Sequence, residues 1–354
     1  MEQFSPDDKL RLRKFFNNAN EGKIVLQEKT KNSDILLVDS MNTFIRSFSA
    51  IPTLNGNGLH IGGISGFLKS IGFAIKVLKP TRVICVFDGE GGSQKRRKIY
   101  SEYKSGRRSR VRFNRTYDEM TSISEENKNM ELEFARIIDY LKKLPVSIVA
   151  VPQIEADDTI AYLANEYFKD SNRISIMSTD KDFLQLANEK IKIWSPTKKN
   201  LYSCSEILKE YGISCKNFIY YRALSGDESD NIPGIRGSGL KTVIKAFPFL
   251  TLEEESSIQE IINYSENNIK KYKIYENVVE GKDILKRNFT LMQLHSSIIQ
   301  PFTQLKINDI IERPVPTLNN FEFSKMIYED CMFNVFENYN SWLNETWASI
   351  NSLI

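Results

Sequence analysis

Four apolar runs in this chain each end in a carboxylate, and that repetition constrains the fold more than any other feature. Ile35–Leu36–Leu37–Val38 runs into Asp39, and Val83–Ile84–Cys85–Val86–Phe87 into Asp88. Val146–Ser147–Ile148–Val149–Ala150–Val151 leads to Glu155, Asp157 and Asp158, and Ile174–Ser175–Ile176–Met177–Ser178 to Asp180 and Asp182. Continuous apolar runs suit strands buried on both faces of a parallel sheet. Between them lie stretches of helical spacing, from Ile64 to Leu78, ended by Pro80, and from Asp157 to about Phe168. Strands alternating with helices predict βαβ units. In such an open sheet the strand exits gather at one edge, where ligands bind. Taken alone, Glu155, Asp157 and Asp158 also read as the acidic first turn of an ordinary surface helix, because the helix dipole favours carboxylates there.

The length of 354 residues allows one large domain or two smaller ones. No apolar run approaches the ~18 residues that cross a membrane. Cys85, Cys204, Cys215 and Cys331 form no C-x-x-C pair, and no signal peptide is visible, so reduced thiols of a cytoplasmic protein are expected. His60 and His295 lie away from the acidic clusters in the sequence, which weakens a histidine base or a zinc site. Residues 1–33 are polar and rich in lysine and asparagine, and read as an extension.

Net charge is only +3, but its distribution is uneven. From Ser93 to Arg115 ten lysines and arginines face a single acid, Glu102, with Tyr100, Tyr103 and Phe113 interleaved. Basic side chains neutralise phosphates while aromatic rings stack on unpaired bases, so the segment predicts a nucleic-acid channel. A solvated basic loop or a localisation signal is the plainer alternative. Further on, Gly226–Asp227–Glu228–Ser229–Asp230 is followed by a turn containing Gly234, Gly237 and Gly239 and then by Lys241. Glycines let backbone approach a phosphate, and a helix start directs free amides at it. Leu240 stands where a Walker A loop needs glycine, so this is no such loop, and the spacing alone is more often a plain turn. Beyond Phe249 the pattern is helical and amphipathic.

The acids in question are Asp39, Asp88, Glu155, Asp157, Asp158, Asp180, Asp182, Asp227 and Asp230. Brought together bare, they would repel and several would take up protons. Hard divalent cations relieve that repulsion, and a set of oxygen ligands without Cys or His favours Mg²⁺ or Mn²⁺ over Zn²⁺. Two ions roughly 4 Å apart could activate water and stabilise the leaving oxygen of a phosphodiester. The residues therefore predict a metallonuclease.

Asp39, Phe87–Asp88–Gly89, Arg96 to Arg107, Glu155–Ala156–Asp157–Asp158, Ser178 to Phe183 and Gly226 to Gly234 occur in an order that resembles the 5′-nuclease superfamily. That superfamily includes flap endonucleases, the 5′-nuclease domain of bacterial DNA polymerase I, and bacteriophage 5′-3′ exonucleases and RNase H-type enzymes. The resemblance spans roughly residues 34–295 and implies an α/β, PIN-like domain with a mostly parallel sheet flanked by helices, plus a helix–three-turn–helix and a helical C-terminal region. It divides the chain into 1–33, a catalytic domain 34–200 with a basic arch 93–130, a DNA-binding region 201–300 and a tail 301–354. Asp39, Asp88, Glu155 and Asp157 would serve one metal, Asp158, Asp180, Asp182 and Asp230 another, with Asp227 close by. Lys104 and Arg107 match residues that engage the scissile phosphate, with Asp39, Asp157 and Asp180 at the chemistry. Arg96 and Tyr103 would contact nucleic acid, Tyr103 by stacking, and Gly234, Gly237, Gly239 and Lys241 would grip duplex backbone, with K⁺ bound there in some members.

The implied reaction is hydrolysis near a 5′ end, nick or flap of DNA or an RNA–DNA hybrid, leaving a 5′-phosphate and a 3′-hydroxyl, in primer removal or repair. The expected enzyme is a free-standing monomer of the bacteriophage branch, acting in the host cytoplasm beside a polymerase or single-strand-binding protein. Ser40 departs from the glycine of many members. A PIN-type ribonuclease would share the acidic edge but lack the Gly234–Lys241 module, and a silent branched-DNA-binding protein could have lost acids that this chain retains.

Overall fold

In a β-strand successive side chains point to opposite faces, and here both faces of the central sheet are covered. The computed structural model describes residues 30–105, 122–294, 299–336 and 338–354. Six strands, β1 (Asp34–Asp39), β2 (Arg82–Phe87), β3 (Val146–Ala150), β4 (Arg173–Met177), β5 (Ile191–Ser195) and β6 (Asn200–Tyr202), lie in the order β3-β2-β1-β4-β5-β6. All neighbours are parallel except β5 and β6. Ile35, Leu37, Ile84, Val86, Ile174 and Ile176 enter one apolar cluster, while Leu36, Val38, Val83, Cys85 and Met177 enter the other.

The sheet-flanking helices follow in order: α1 (Ser40–Ala50), α2 (Gly62–Leu78), α3 (Gln94–Ile99), α4 (Ile123–Leu141) and α5 (Ala156–Tyr162). Next come α6 (Cys204–Tyr211), α7 (Phe218–Ser225), α8 (Leu240–Ala246), α9 (Ile258–Asn267), α10 (Lys273–Glu280) and α11 (Lys282–Met292). The last three are α12 (Pro301–Glu312), α13 (Asn320–Glu329) and α14 (Tyr339–Asn351). Local chemistry sets several ends. Ser122 with Glu125 and Ser203 with Glu206 form capping boxes at α4 and α6, and Gly212 closes α6 in the left-handed conformation.

The chain runs from β1 outward through β2 to β3, then returns to place β4 on the other side of β1. That reversal opens a crevice at the carboxyl ends of β1 and β4, the usual ligand position of an open α/β sheet. Register pairs Val38 with both Cys85 and Met177, so Asp39, Asp88 and Ser178 leave the sheet along one edge.

Residues 31–354 form one compact unit, and the last helices are built into it: Phe323 and Trp347 are fully buried in the cluster that holds Leu36 and Val38. Cys204 and Cys215, expected as free thiols, are joined as a disulfide because α6 and the turn before α7 bring their Cα atoms to 5.3 Å. Cys85 and Cys331 are free. Among the described residues no helix is long and apolar enough to cross a membrane.

Candidate active site

Asp39 is the residue at which β1 becomes α1, and its carboxylate serves both elements. Its Oδ1 accepts from the Asn42 amide (3.2 Å), capping the helix, and its Oδ2 accepts from the Ser178 hydroxyl (2.8 Å) at the end of β4. The Asn42 side-chain oxygen accepts from the Thr179 amide and hydroxyl (3.2 and 2.8 Å), a second stitch across the crevice. Asp180 accepts from the Asp182 amide (2.8 Å). From β2, Asp88 accepts from the Ala156 amide (2.7 Å), so it joins the end of β2 to the start of α5. A Cβ on Gly89 would fall 1.7 Å from the Val151 carbonyl oxygen, so only glycine permits that approach.

These contacts surround a cavity of about 390 Å³ lined by Asp39, Asp88, Asp157 and Asp180, with Asn42, Arg46, Lys104 and Ser229 also on its wall. Burial pushes the Asp39 carboxyl up to about 7 despite its two hydrogen bonds, with Asp180 and Asp88 adding to the rise. Burial, then Asp39 and Asp180, push Asp157 well above the ordinary range, and burial also raises Asp180. Among the described residues no donor meets the Asp157 carboxyl.

Four of the other predicted acids, Glu155, Asp158, Asp182 and Asp227, are held by cations. Arg96 directs one nitrogen at Glu155 and forks both terminal nitrogens onto Asp158 (2.8 and 2.8 Å), while its Nε donates to the Leu291 carbonyl (2.7 Å). Lys104 donates to Glu155 (2.5 Å), and its amide donates to the Asp230 carbonyl (2.8 Å) in the left-handed conformation. Burial opposes ionisation of Glu155, but Lys104 and Arg96 outweigh it and hold the group below its usual range. Arg222 bridges Asp182 and Asp227 (2.5 and 2.5 Å). Asp182 is still raised to about 7, by burial and then by Asp180. Asp227 is lowered, its burial outweighed by Ser229 and Arg222.

The predicted residues thus separate into an open group, Asp39, Asp88, Asp157 and Asp180, and two groups braced by Arg96 and Arg222. Arg96, expected on nucleic acid, is buried and committed to protein acceptors. Tyr103, expected to stack on a base, is 3% exposed and donates to Glu155 (3.1 Å). Gly237 and Lys241 line a separate cavity beside Arg236, Lys245 and Tyr272, Gly239 caps α8, and Gly234 packs against the Ser225 backbone. Arg107 and His295 lie outside the described residues. His60 is buried against Glu133 (2.7 Å) and does not line the acidic cavity.

Arg46, Asn42, Ser178 and Arg222 were not singled out from the sequence. Asn42 and Arg46 follow Asp39 at helical spacing, a signal available once Asp39 is placed before a helix.

Among the described residues no three carboxylate, imidazole or thiol groups already stand together as a metal cluster. The donor set nevertheless fits a hard divalent cation: the cavity wall offers carboxyl oxygens, and their raised proton affinities mark a site short of positive charge.

Residues 34–212 match the family described as 5′-3′ exonuclease, N-terminal resolvase-like domain. The chain is 31% identical over 303 residues to a 5′-3′ exonuclease of Buchnera aphidicola subsp. Acyrthosiphon pisum, covering 83% of this chain and 97% of that protein. It is 28% identical over 279 residues to an Aquifex aeolicus 5′-3′ exonuclease, covering 77% and 83%. It is also similar to Bacillus subtilis DNA polymerase I, 30% identical over 72% of this chain but only 27% of that polymerase. Among solved structures, the bacteriophage T5 D15 flap endonuclease in complex with DNA and metal ions superposes with a TM-score of 0.57 at 20% identity, over 84% of this chain and 99% of that one. The T5 5′-exonuclease with bound zinc gives 0.58 at 22%, over the same shares, and these two likenesses bear on the fold.

Proposed function

We propose, from the premise that this chain belongs to the 5′-3′ exonuclease family, that its acidic cavity holds two divalent ions and cuts phosphodiesters at 5′ ends, nicks and flaps. The observation that carries this reading is the cavity at the β1/β4 reversal, where Asp39, Asp88, Asp157 and Asp180 meet with Lys104 on the same wall. Mg²⁺, with Mn²⁺ as substitute, would supply Lewis-acid charge and lower the pKa of a bound water.

The protein's own residues do the positioning. Asp39, Asp88, Asp157 and Asp180 hold the ions, with Glu155 joining once Lys104 turns from it to the phosphate. Asp182, Asp227 and Asp230 complete the second side. Asp158, whose two oxygens Arg96 occupies, braces the start of α5. Gly237, Gly239 and Lys241, with Arg236 and Lys245, grip duplex backbone, with K⁺ as partner ion. Such contacts select structure over sequence. DNA flaps and RNA primers on DNA are the proposed substrates, in primer removal or repair.

The test is cleavage of labelled 5′-flap DNA, blunt DNA and RNA–DNA hybrid, with and without Mg²⁺. Asp157→Asn is expected to abolish cutting while duplex binding in EDTA or Ca²⁺ persists. Cutting by that variant at the wild-type rate would sink the proposal.

A further inference from the structure

Lys104 stands in a backbone conformation that lysine rarely adopts. Its φ is +56°, in the left-handed region, where a Cβ crowds the following carbonyl oxygen and glycine or asparagine is the usual occupant. Such a residue persists only where its surroundings over-determine it. Tyr103 before it is buried and fixed on Glu155, so the chain arrives at Lys104 from a set position. The groups that turn it there come from a distant part of the sequence.

Gly226–Asp227 pairs antiparallel with Ile232–Pro233, and this short hairpin carries Asp227 and Asp230. Hydrogen bonds cross from it to both sides of Lys104. The Asp230 carbonyl accepts from the Lys104 amide (2.8 Å), and the Asn231 side-chain amide donates to the Glu102 carbonyl (3.1 Å) and to the Ser105 hydroxyl (3.0 Å). Ser105 in turn donates to the Glu102 carboxylate (3.1 Å), so donors and acceptors match around the turn. Asn231 is itself left-handed, with φ +57°, and its backbone amide donates to the Glu228 carbonyl (3.3 Å), closing the hairpin loop. Closing that loop asks only for a residue that tolerates the conformation, and glycine would serve as well. The bonds to Glu102 and Ser105 need the carboxamide. Held this way, Lys104 lines the acidic cavity with its ammonium 2.5 Å from Glu155. Without those bonds its backbone would relax to the regions lysine favours and carry the ammonium off that wall.

We propose that Asn231 is the positioning residue for Lys104, its carboxamide holding the lysine backbone left-handed so that the ammonium meets the phosphate being cut. This rests on the nuclease reading above.

The test uses Asn231→Gly, which suits the loop conformation and removes the carboxamide. In single-turnover cleavage of 5′-flap DNA at saturating Mg²⁺ it should be about tenfold slower than wild type, with affinity in Ca²⁺ and the half-saturating Mg²⁺ concentration within about twofold. In a Lys104→Ala background the same change should slow cleavage by less than about twofold further, because the group it positions is gone. Acetylation by acetic anhydride in EDTA, read lysine by lysine by mass spectrometry, supplies a measure that needs no cleavage. Lys104, whose side chain is 11% exposed beside Glu155, should react about tenfold faster in Asn231→Gly, and Lys241 at the wild-type rate. Rate losses that multiply in the double variant, a loss that extra Mg²⁺ restores, or Lys104 acetylation equal to wild type would overturn the proposal. If Asn231→Gly fails to fold, Asn231→Asp, which has the same shape and tolerance of the left-handed region but no donors, decides by the same measurements. A wild-type protein that leaves the flap uncut, while acetylation still depends on Asn231, would count against the nuclease reading and not against the positioning.

Discussion

Replacing Asp39 with asparagine should stabilise the metal-free protein at alkaline pH, although the change removes a proposed metal ligand. Its carboxyl is displaced from 3.8 to about 7. The folded state thus holds the proton more tightly than the unfolded chain, and wild-type stability falls as pH rises from about 4 through 7. At about 1.4 kcal/mol per unit, ionising Asp39 above pH 7 costs up to about 4 kcal/mol. Asparagine keeps one acceptor for the Asn42 amide or the Ser178 hydroxyl and loses the other bond, a penalty of about 1 kcal/mol. The net gain is about 2–3 kcal/mol, or roughly 3–4 °C in Tm for a chain of this size. The assay is thermal melting in EDTA at about pH 8 and pH 5. Asp39→Asn should melt higher than wild type at the first and equal or lower at the second. Added Mg²⁺ should close the gap at pH 8 by raising wild type alone. If Asp39→Asn melts lower at both pH values by the same amount, Asp39 is an ordinary cap and the electrostatic account of the cavity fails.

Other outcomes follow from the same geometry. Lys104→Ala should slow single-turnover cleavage by about 10²-fold with less than about threefold loss of affinity in Ca²⁺, since a contact to developing charge acts on the chemical step; loss of affinity alone would remove Lys104 from that role. Arg222→Leu leaves Asp182 and Asp227 without their cation and should destabilise by about 3–5 kcal/mol in urea melts at pH 8, whereas an unchanged midpoint would mean that the bridge contributes nothing. Gly89→Ala forces a Cβ into the Val151 carbonyl and should cost more than about 3 kcal/mol; a near-neutral result would contradict the packing at the end of β2. Trp347→Ala should cost about 3–5 kcal/mol and lower the single cooperative transition, while a separate early transition would show α14 to be an appendage.

Much of the fold was legible because its signals are local. β1 to β4 are predominantly apolar runs, and acids stand at or within a few residues of each strand's end, so the edge on which they gather could be anticipated. The division of those acids could not. Arg96 reaches Glu155 and Asp158 from about sixty residues away, and Arg222 reaches Asp182 across forty. Nothing in their neighbourhoods distinguishes a buried brace from an exposed phosphate contact. Tyr103 misled for the same reason: an aromatic among basic residues suggests stacking until burial removes its face. The Cys204–Cys215 pair and the packing of Trp347 are likewise set by which surfaces meet, and an amphipathic stripe does not name its partner.

The carboxylates of the cavity are not equally bound to the architecture, and this bears on how such a protein could decay. Asp39 and Asp88 each accept a hydrogen bond from the amide near a helix start, whereas Asp157 accepts none among the described residues. A descendant released from selection for cutting could exchange Asp157 for almost any small residue. At Asp39 and Asp88 it would have to retain some acceptor, asparagine or serine among them, so the ruins of the site would outlast its chemistry at two positions and vanish first at the third.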